Sequence, residues 1–339
     1  MLTALATYKG LAEGGKSTHS KAISAARRIV QAWKTGVRPD RYSIGIRSPG
    51  SSDRIAMIAA LIELNSPALI EKFIREVVLP TYDGSENAAL LTAAAALGNK
   101  NAAEILAALM EARMANRPNE CAQLLLALGA TDPPPSFRLV AQTGVEGIGG
   151  VKQQKLPSEF ITNLFSALAL FSGRTLHDAA VGKITSRLEV FDPVTVVVPG
   201  IERLCAEQYP LAPPMDRVIQ HLWTSAAEFL LLRSEAPPQP PPDWDLQAKL
   251  ACTCPDCTDL QAFARHPSEQ VHRFRINKER RRHLHEVFKQ YGLDMTHETL
   301  RVGSPQTLVC TKDRRTFQAR MNEYKKEIVA MRKLMKLAP

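Results

Sequence analysis

Three cysteines stand within six positions at CTCPDC, residues 252 to 257. Thiolates are soft ligands that zinc holds tetrahedrally. A C-x-C-x2-C cluster delivers three of them from one tight turn, with Pro255 and Asp256 supporting the bend. A closed site needs a fourth donor, and His266, His272, His283, His285 and Cys310 all lie in the same C-terminal stretch. His283 and His285 are two apart on a helix predicted over Asn277 to Tyr291, so their side chains diverge and only one of them can join. The expected ligands are Cys252, Cys254, Cys257 and His283, with Cys310 and His272 in reserve, and the expected cofactor is structural zinc. Catalytic zinc keeps a water position and a nearby general base, and no carboxylate in this stretch stands out for that task. Two competing readings stay open. One is three reduced, metal-free cysteines near a helix start; the other is a redox pair through the C-x-x-C spacing of Cys254 and Cys257, which lacks the preceding strand such pairs use.

The surroundings of this cluster are basic. From Ala251 to Pro339 there are 18 Lys or Arg against 10 Asp or Glu, net +8, whereas residues 1 to 250 carry a net charge of only +1. The run LQAFARHPSEQVHRFRINKERRRHLHEVF offers Arg273, Arg275, Lys278, Arg280, Arg281 and Arg282 as a phosphate-contacting surface. Its plain alternative is a solvated helix face with Leu284, Val287, Phe288 and Tyr291 turned inward. No helix-turn-helix, RNA-recognition or zinc-finger spacing supports the nucleic-acid reading.

Two glycine-rich stretches invite a nucleotide. GLAEGGKS, Gly10 to Ser17, fits the phosphate-loop pattern, with Lys16 for the outer phosphates and Ser17 for magnesium. ALATYKG is a poor buried strand before it, and VTVVVPG ends in Pro and Gly rather than in a metal-holding Asp. A turn before a helix is the expected structure. GVEGIGG, Gly144 to Gly150, lacks both the strand and the dinucleotide-binding spacing and is read as a flexible loop. His177 and His221 stand alone and are read as structural or surface residues.

The elements that must position the cysteines follow from apolar spacing. Ile55, Ile58, Ala59 and Ile62 recur at helical intervals, Asn65-Ser66-Pro67 breaks them, and Leu69, Ile70, Phe73, Ile74 and Val77 resume them up to Pro80. AALLTAAAALG ends at Gly98 and CAQLLLALG at Gly129, 31 residues apart, a period that suits stacked helix pairs. A plain helical bundle is the rival. Phe160, Ile161, Leu164, Phe165, Leu168 and Phe171 predict a further core helix, and Val218, Ile219, Leu222, Phe229 and Leu230 another. APPQPPPDWD, Ala236 to Asp245, cannot continue a helix and reads as a semi-rigid spacer. Beyond it, Thr299–Val302 and Gln306–Thr311 predict a short hairpin turned by Gly303-Ser304-Pro305. On a long final helix, Phe317, Met321, Tyr324, Ile328, Met331 and Met335 form a heptad seam, for packing or for a helical partner such as a second copy.

The predicted fold is mainly α: a HEAT-like helix-pair array, then a small α+β module with a short hairpin and a long terminal helix. Its expected domains are an N-terminal segment (1–50), the array (51–132), a further helical domain (133–235), the linker (236–245) and the basic Cys/His module (246–339). No apolar run reaches the ~20 residues of a membrane span, and MLTALATYK is too short for a secretory signal, so an intracellular protein is expected.

CTCPDCTDLQAF, RRRHLH and MTHETLRVGSPQTLVCTK together resemble the C-terminal region of large, mainly fungal proteins that carry a 2-oxoglutarate/Fe(II) dioxygenase domain. FIREVVLPTYDGSENAALL resembles their helical middle. The resemblance covers most of residues 50 to 325 and implies a helical scaffold with a cysteine-containing tail. It does not carry the activity across, because none of the eight histidines is followed two positions later by Asp or Glu, as that iron site requires. The function expected from all this is a non-catalytic scaffold with a protein partner. The alternatives are nucleic-acid binding through the basic module and an accessory part of such an oxygenase.

Overall fold

Apolar residues three and four apart dictate helices through most of the chain, as the computed structural model bears out; it describes residues 15–36, 49–152, 154–171, 174–206 and 213–337. Two compact units are present: Met1–Leu230 with Ala330–Pro339, and Leu231–Val329. None of the helices among the described residues is long and apolar enough to cross a membrane.

Every described element of the first unit is helical. α1 (Gly15–Gly36) and α2 (Ser51–Glu63) come first, then α3 (Pro67–Phe73), which runs through a π turn at Ile74–Val78 into the short α4 (Leu79–Thr81). Pro80 has no N–H to donate and its ring crowds the carbonyl four residues back, which the widened turn accommodates. α5 (Asn87–Leu97), α6 (Asn99–Arg113), α7 (Pro118–Gly129), α8 (Arg138–Gly147), α9 (Glu159–Leu170), α10 (Arg174–Thr185), α11 (Val198–Ala206) and α12 (Pro213–Ser234) follow. Alternate helices pack on one another. One row runs α2, α5, α7, α9, α11, and the other α6, α8, α10.

Small residues permit that stacking. Ala93, Ala102, Ala103 and Ala122 are buried, and a Cβ built on Gly129 would sit 2.7 Å from the Leu170 Cβ. The stretch Gly144–Gly150 is not a loop: Gly144 to Gly147 close α8 and Ile148–Gly150 forms a 3-10 turn. Glycine is needed there for close approach, since a Cβ on Gly147 would meet the Met114 Cβ at 2.7 Å. A polar clasp ties the early helices together. Arg54, 4% exposed, donates to the fully buried Glu86, to Asp83 (2.9 Å) and to the Pro49 carbonyl (2.9 Å). The phosphate-loop match lies largely outside the described residues, and from Gly15 onward that segment is α1.

The second unit is built on a three-stranded antiparallel sheet of β1 (Val271–Arg275), β2 (Met295–Leu300) and β3 (Thr307–Lys312), in the order β1-β3-β2. α13 (Pro255–Arg265) and α14 (Lys278–Tyr291) supply Leu260, Phe263, Leu284, Val287 and Phe288 to a core that Phe274, Leu308 and Cys310 complete from the sheet. Asn277 caps α14, accepting from the Arg280 N–H at 3.0 Å, as expected for the start of that helix. The hairpin is present, although its first strand begins at Met295, earlier than predicted. β1 was not anticipated, because its outward positions are occupied by arginine. The long final helix, α15 (Arg315–Lys336), begins in this unit, where it buries Glu327, and its last residues belong to the first unit, with Ala330 and Leu334 buried. Its predicted seam lies rotated from that face: Phe317, Met321, Tyr324, Ile328 and Met331 are half-buried and Met335 is exposed. The rotation follows from Glu327, whose carboxylate is held by Arg233 Nε at 2.9 Å and Arg320 Nη1 at 3.1 Å.

Candidate metal centre

The turn that carries the cysteines is a helix start. Cys254 is the N-cap of α13, with extended backbone angles, Pro255 occupies the first helical position, and Cys257 closes the first turn with its side chain buried. Cys252 lies on the irregular lead-in, which is fixed by the Leu250 N–H donating to Gln261 Oε1 (2.8 Å) and the Ala251 N–H donating to the Tyr291 hydroxyl (2.9 Å). His283 reaches the same point from α14. Its Nε2 lies 3.5 Å from Cys252 Sγ, 3.5 Å from Cys254 Sγ and 3.1 Å from Cys257 Sγ. All four donor atoms fall within 4.8 Å of one another.

This spacing suits a metal. Tetrahedral zinc with Zn–S near ~2.3 Å and Zn–N near ~2.0 Å places sulfur and nitrogen about 3.5 Å apart. Three soft sulfurs and one imidazole are the donor set of a closed, four-protein-ligand site, which leaves no position for a reacting water. Bound there, the ion would join the lead-in loop, the first turn of α13 and the middle of α14.

The thiols are already differentiated. Cys254 is drawn down to about 7, first by the Cys257 backbone N–H and then by the neighbouring thiols and the His283 ring. Burial, together with the Cys254 and Cys252 thiols, pushes Cys257 up to about 12. An open helix N-terminus favours the thiolate at Cys254, the form a metal requires.

Asp256 and Arg280 hold the frame around the ligands. Arg280 Nε donates to Asp256 Oδ2 at 2.7 Å and its Nη2 to Asp256 Oδ1, a two-pronged pair that clamps the first turn of α13 to α14. Sequence reasoning placed these residues in other roles, a bend support and a phosphate contact. The signal available was an acidic residue in the first helical turn facing an Arg three positions before His283.

Other sequence candidates sit elsewhere. Cys310 is buried in the core from β3, its thiol pushed up to about 12 by burial, and is not among the clustered donors. His272 is engaged by Glu269 (2.8 Å) and Asp259 (3.3 Å) and packs against Phe263 and Phe274. His285 meets His297 instead, with ring centroids 4.5 Å apart and the planes tilted by 54°, as divergence from His283 at two-residue helical spacing demands. Among the six basic candidates, Arg281 is buried and donates to the Ile276 carbonyl (2.5 Å) and to Gln306 Oε1 (2.9 Å), so it is a core strut and not a surface contact. Arg280 belongs to the clamp, and Arg282 lies 3.8 Å from Glu286. Arg273, Arg275 and Lys278 are exposed and in no ion pair among the described residues.

No protein-family model, curated protein or solved structure matches the chain.

Proposed function

We propose that this chain is a non-catalytic scaffold or interaction protein. Its array, read as HEAT-like helix-pair repeats, is the binding surface, and zinc at Cys252, Cys254, Cys257 and His283 stabilises a basic module. One observation carries the reading: four soft donors from a loop, a helix start and a second helix converge within 4.8 Å, with no fifth position set aside for chemistry. Elemental analysis of purified protein beside a thiol titration tests it. One zinc per chain with three protected thiols is the expected result. A protein free of transition metal whose second unit still melts cooperatively would overturn it.

A second reading, nucleic-acid binding, is favoured by the strand register. Arg273 and Arg275 share one face with Val309 and Thr307, while His272, Phe274, Leu308 and Cys310 point to the opposite face. Arg273 and Arg275 are exposed, and exposed arginines side by side on a strand offer phosphate contacts. Charge reversal at Arg273 and Arg275 in the full chain should flatten the salt dependence of oligonucleotide binding. Identical salt slopes for variant and parent would remove this reading.

A further inference from the structure

We propose that the second unit carries a site for a cationic side chain, an arginine presented by a protein partner, in the cavity between the proline-rich segment and the start of α15. This deepens the interaction reading by naming the partner's chemistry and does not depend on the zinc. The cavity has a volume of about 500 Å³, within the ~300–1,000 Å³ of ligand sites. Three half-buried aromatic residues from three separate elements line it: Trp244, Tyr291 and Phe317. Four aspartates, Asp243, Asp245, Asp294 and Asp313, also line it, against two arginines. The cavity is thus acidic within a basic module, the reverse of what net charge alone would place there.

Two features make it a recognition site and not only a packing gap. The backbone of Trp244 is held at both ends: its main-chain N–H donates to the Pro267 carbonyl at 2.9 Å, and its carbonyl accepts from Lys312 Nζ at 2.8 Å. A guanidinium already rests on the ring, the Arg314 Cζ lying 4.5 Å from the centroid. Among the described residues no ion pair holds Arg314 there, and its Nε is buried without a hydrogen-bond partner. The ring is what draws the charge. Aromatic faces attract cations through their quadrupole, and guanidinium also stacks on them. Asp243 and Asp245 each use one carboxylate oxygen to accept a local backbone N–H, at 2.9 Å and 2.7 Å, leaving the other for a cation.

The test is a titration of the full chain with dye-labelled pentapeptides Gly-Gly-Xaa-Gly-Gly in which Xaa is arginine, lysine or citrulline, the neutral isostere of arginine. Arginine is expected to bind about tenfold more tightly than citrulline, with lysine between them. Asp243→Asn with Asp245→Asn should lower arginine affinity about tenfold toward the citrulline value, with helix content unchanged. Arg314→Ala, which clears the Trp244 face, should raise it severalfold, a gain that a structural role for Arg314 would not produce. Equal affinity for arginine and citrulline, lysine matching arginine, no binding at millimolar peptide, or a loss on Arg314→Ala would each overturn the assignment. Zinc content measured on the same samples keeps the outcomes separate. Arginine recognition by a metal-free protein would sink the zinc reading alone, and a zinc-loaded protein blind to arginine would sink this one alone.

Discussion

The two units of this chain reach order by different routes. In the first, helix after helix buries an apolar stripe against its second neighbour, with Phe73, Phe160, Phe165 and Phe191 at the centre of a continuous core. The second gathers only thirteen buried apolar residues into its core and relies on polar joints: the Asp256–Arg280 clamp, Arg281 on Gln306, Lys312 on two carbonyls, and the four-donor cluster. A small apolar core gains little from burial, so directional contacts contribute where area does not, as an ion held by the four donors would. The contrast teaches where each unit is vulnerable. Core deletions should damage the first, ligand deletions the second.

The largest expected effect breaks the second unit alone. Cys257→Ser, or removal of metal by a chelator, should cost on the order of 10 kcal/mol of folding free energy. Amide exchange should become fast across residues 231–329 and stay slow across 51–206; slow exchange in both would refute the contrast. Next is the first unit's clasp. Arg54→Ala strands Glu86 as a buried charge and should cost about 3–5 kcal/mol by denaturant titration, with metal content unaffected. Gly147→Val presses into Met114 and should cost about 1–3 kcal/mol, again in the first unit only. Asn277→Ala removes the cap of α14 and should lower the second unit's stability by about 1 kcal/mol, read as a shift in its melting transition.

The smallest effect concerns acid. Burial raises the Asp83 carboxyl, but hydrogen bonds from the Ser85 side chain and N–H, together with Arg54, bring it below its usual value. A carboxyl depressed by folding stabilises the protein above its unfolded value of 3.8 and loses that contribution as pH falls through the lower folded value. Asp83→Asn should therefore shallow the acid limb of the first unit's stability curve below about pH 4, and an unchanged limb would deny Asp83 the role.

Much of the helical framework is legible in the chain. Apolar spacing locates the helix over Ser51–Glu63 and the one over Glu159–Leu170, since helical period and burial coincide there. The hairpin turn is legible from Gly303-Ser304-Pro305. β1 is not, because Arg273 and Arg275 point to solvent and leave only His272 and Phe274 to show an inward face. The glycines of α8 also mislead: glycine is ordinarily a helix breaker, and only the neighbouring Met114 reveals that the position must be empty.

For the candidate site, local spacing was sufficient to say that Cys252, Cys254 and Cys257 share one turn and that His283 and His285 diverge, because both statements depend on backbone geometry within a few residues. Tertiary structure alone decided that His283 closes the cluster while Cys310 and His272 stay outside it, that Arg280 and Arg281 serve as struts, and that four aspartates and three aromatics meet in one cavity within a basic module. These depend on which faces of separate elements are pressed together as the core excludes water, and residue order along the chain does not contain that distance.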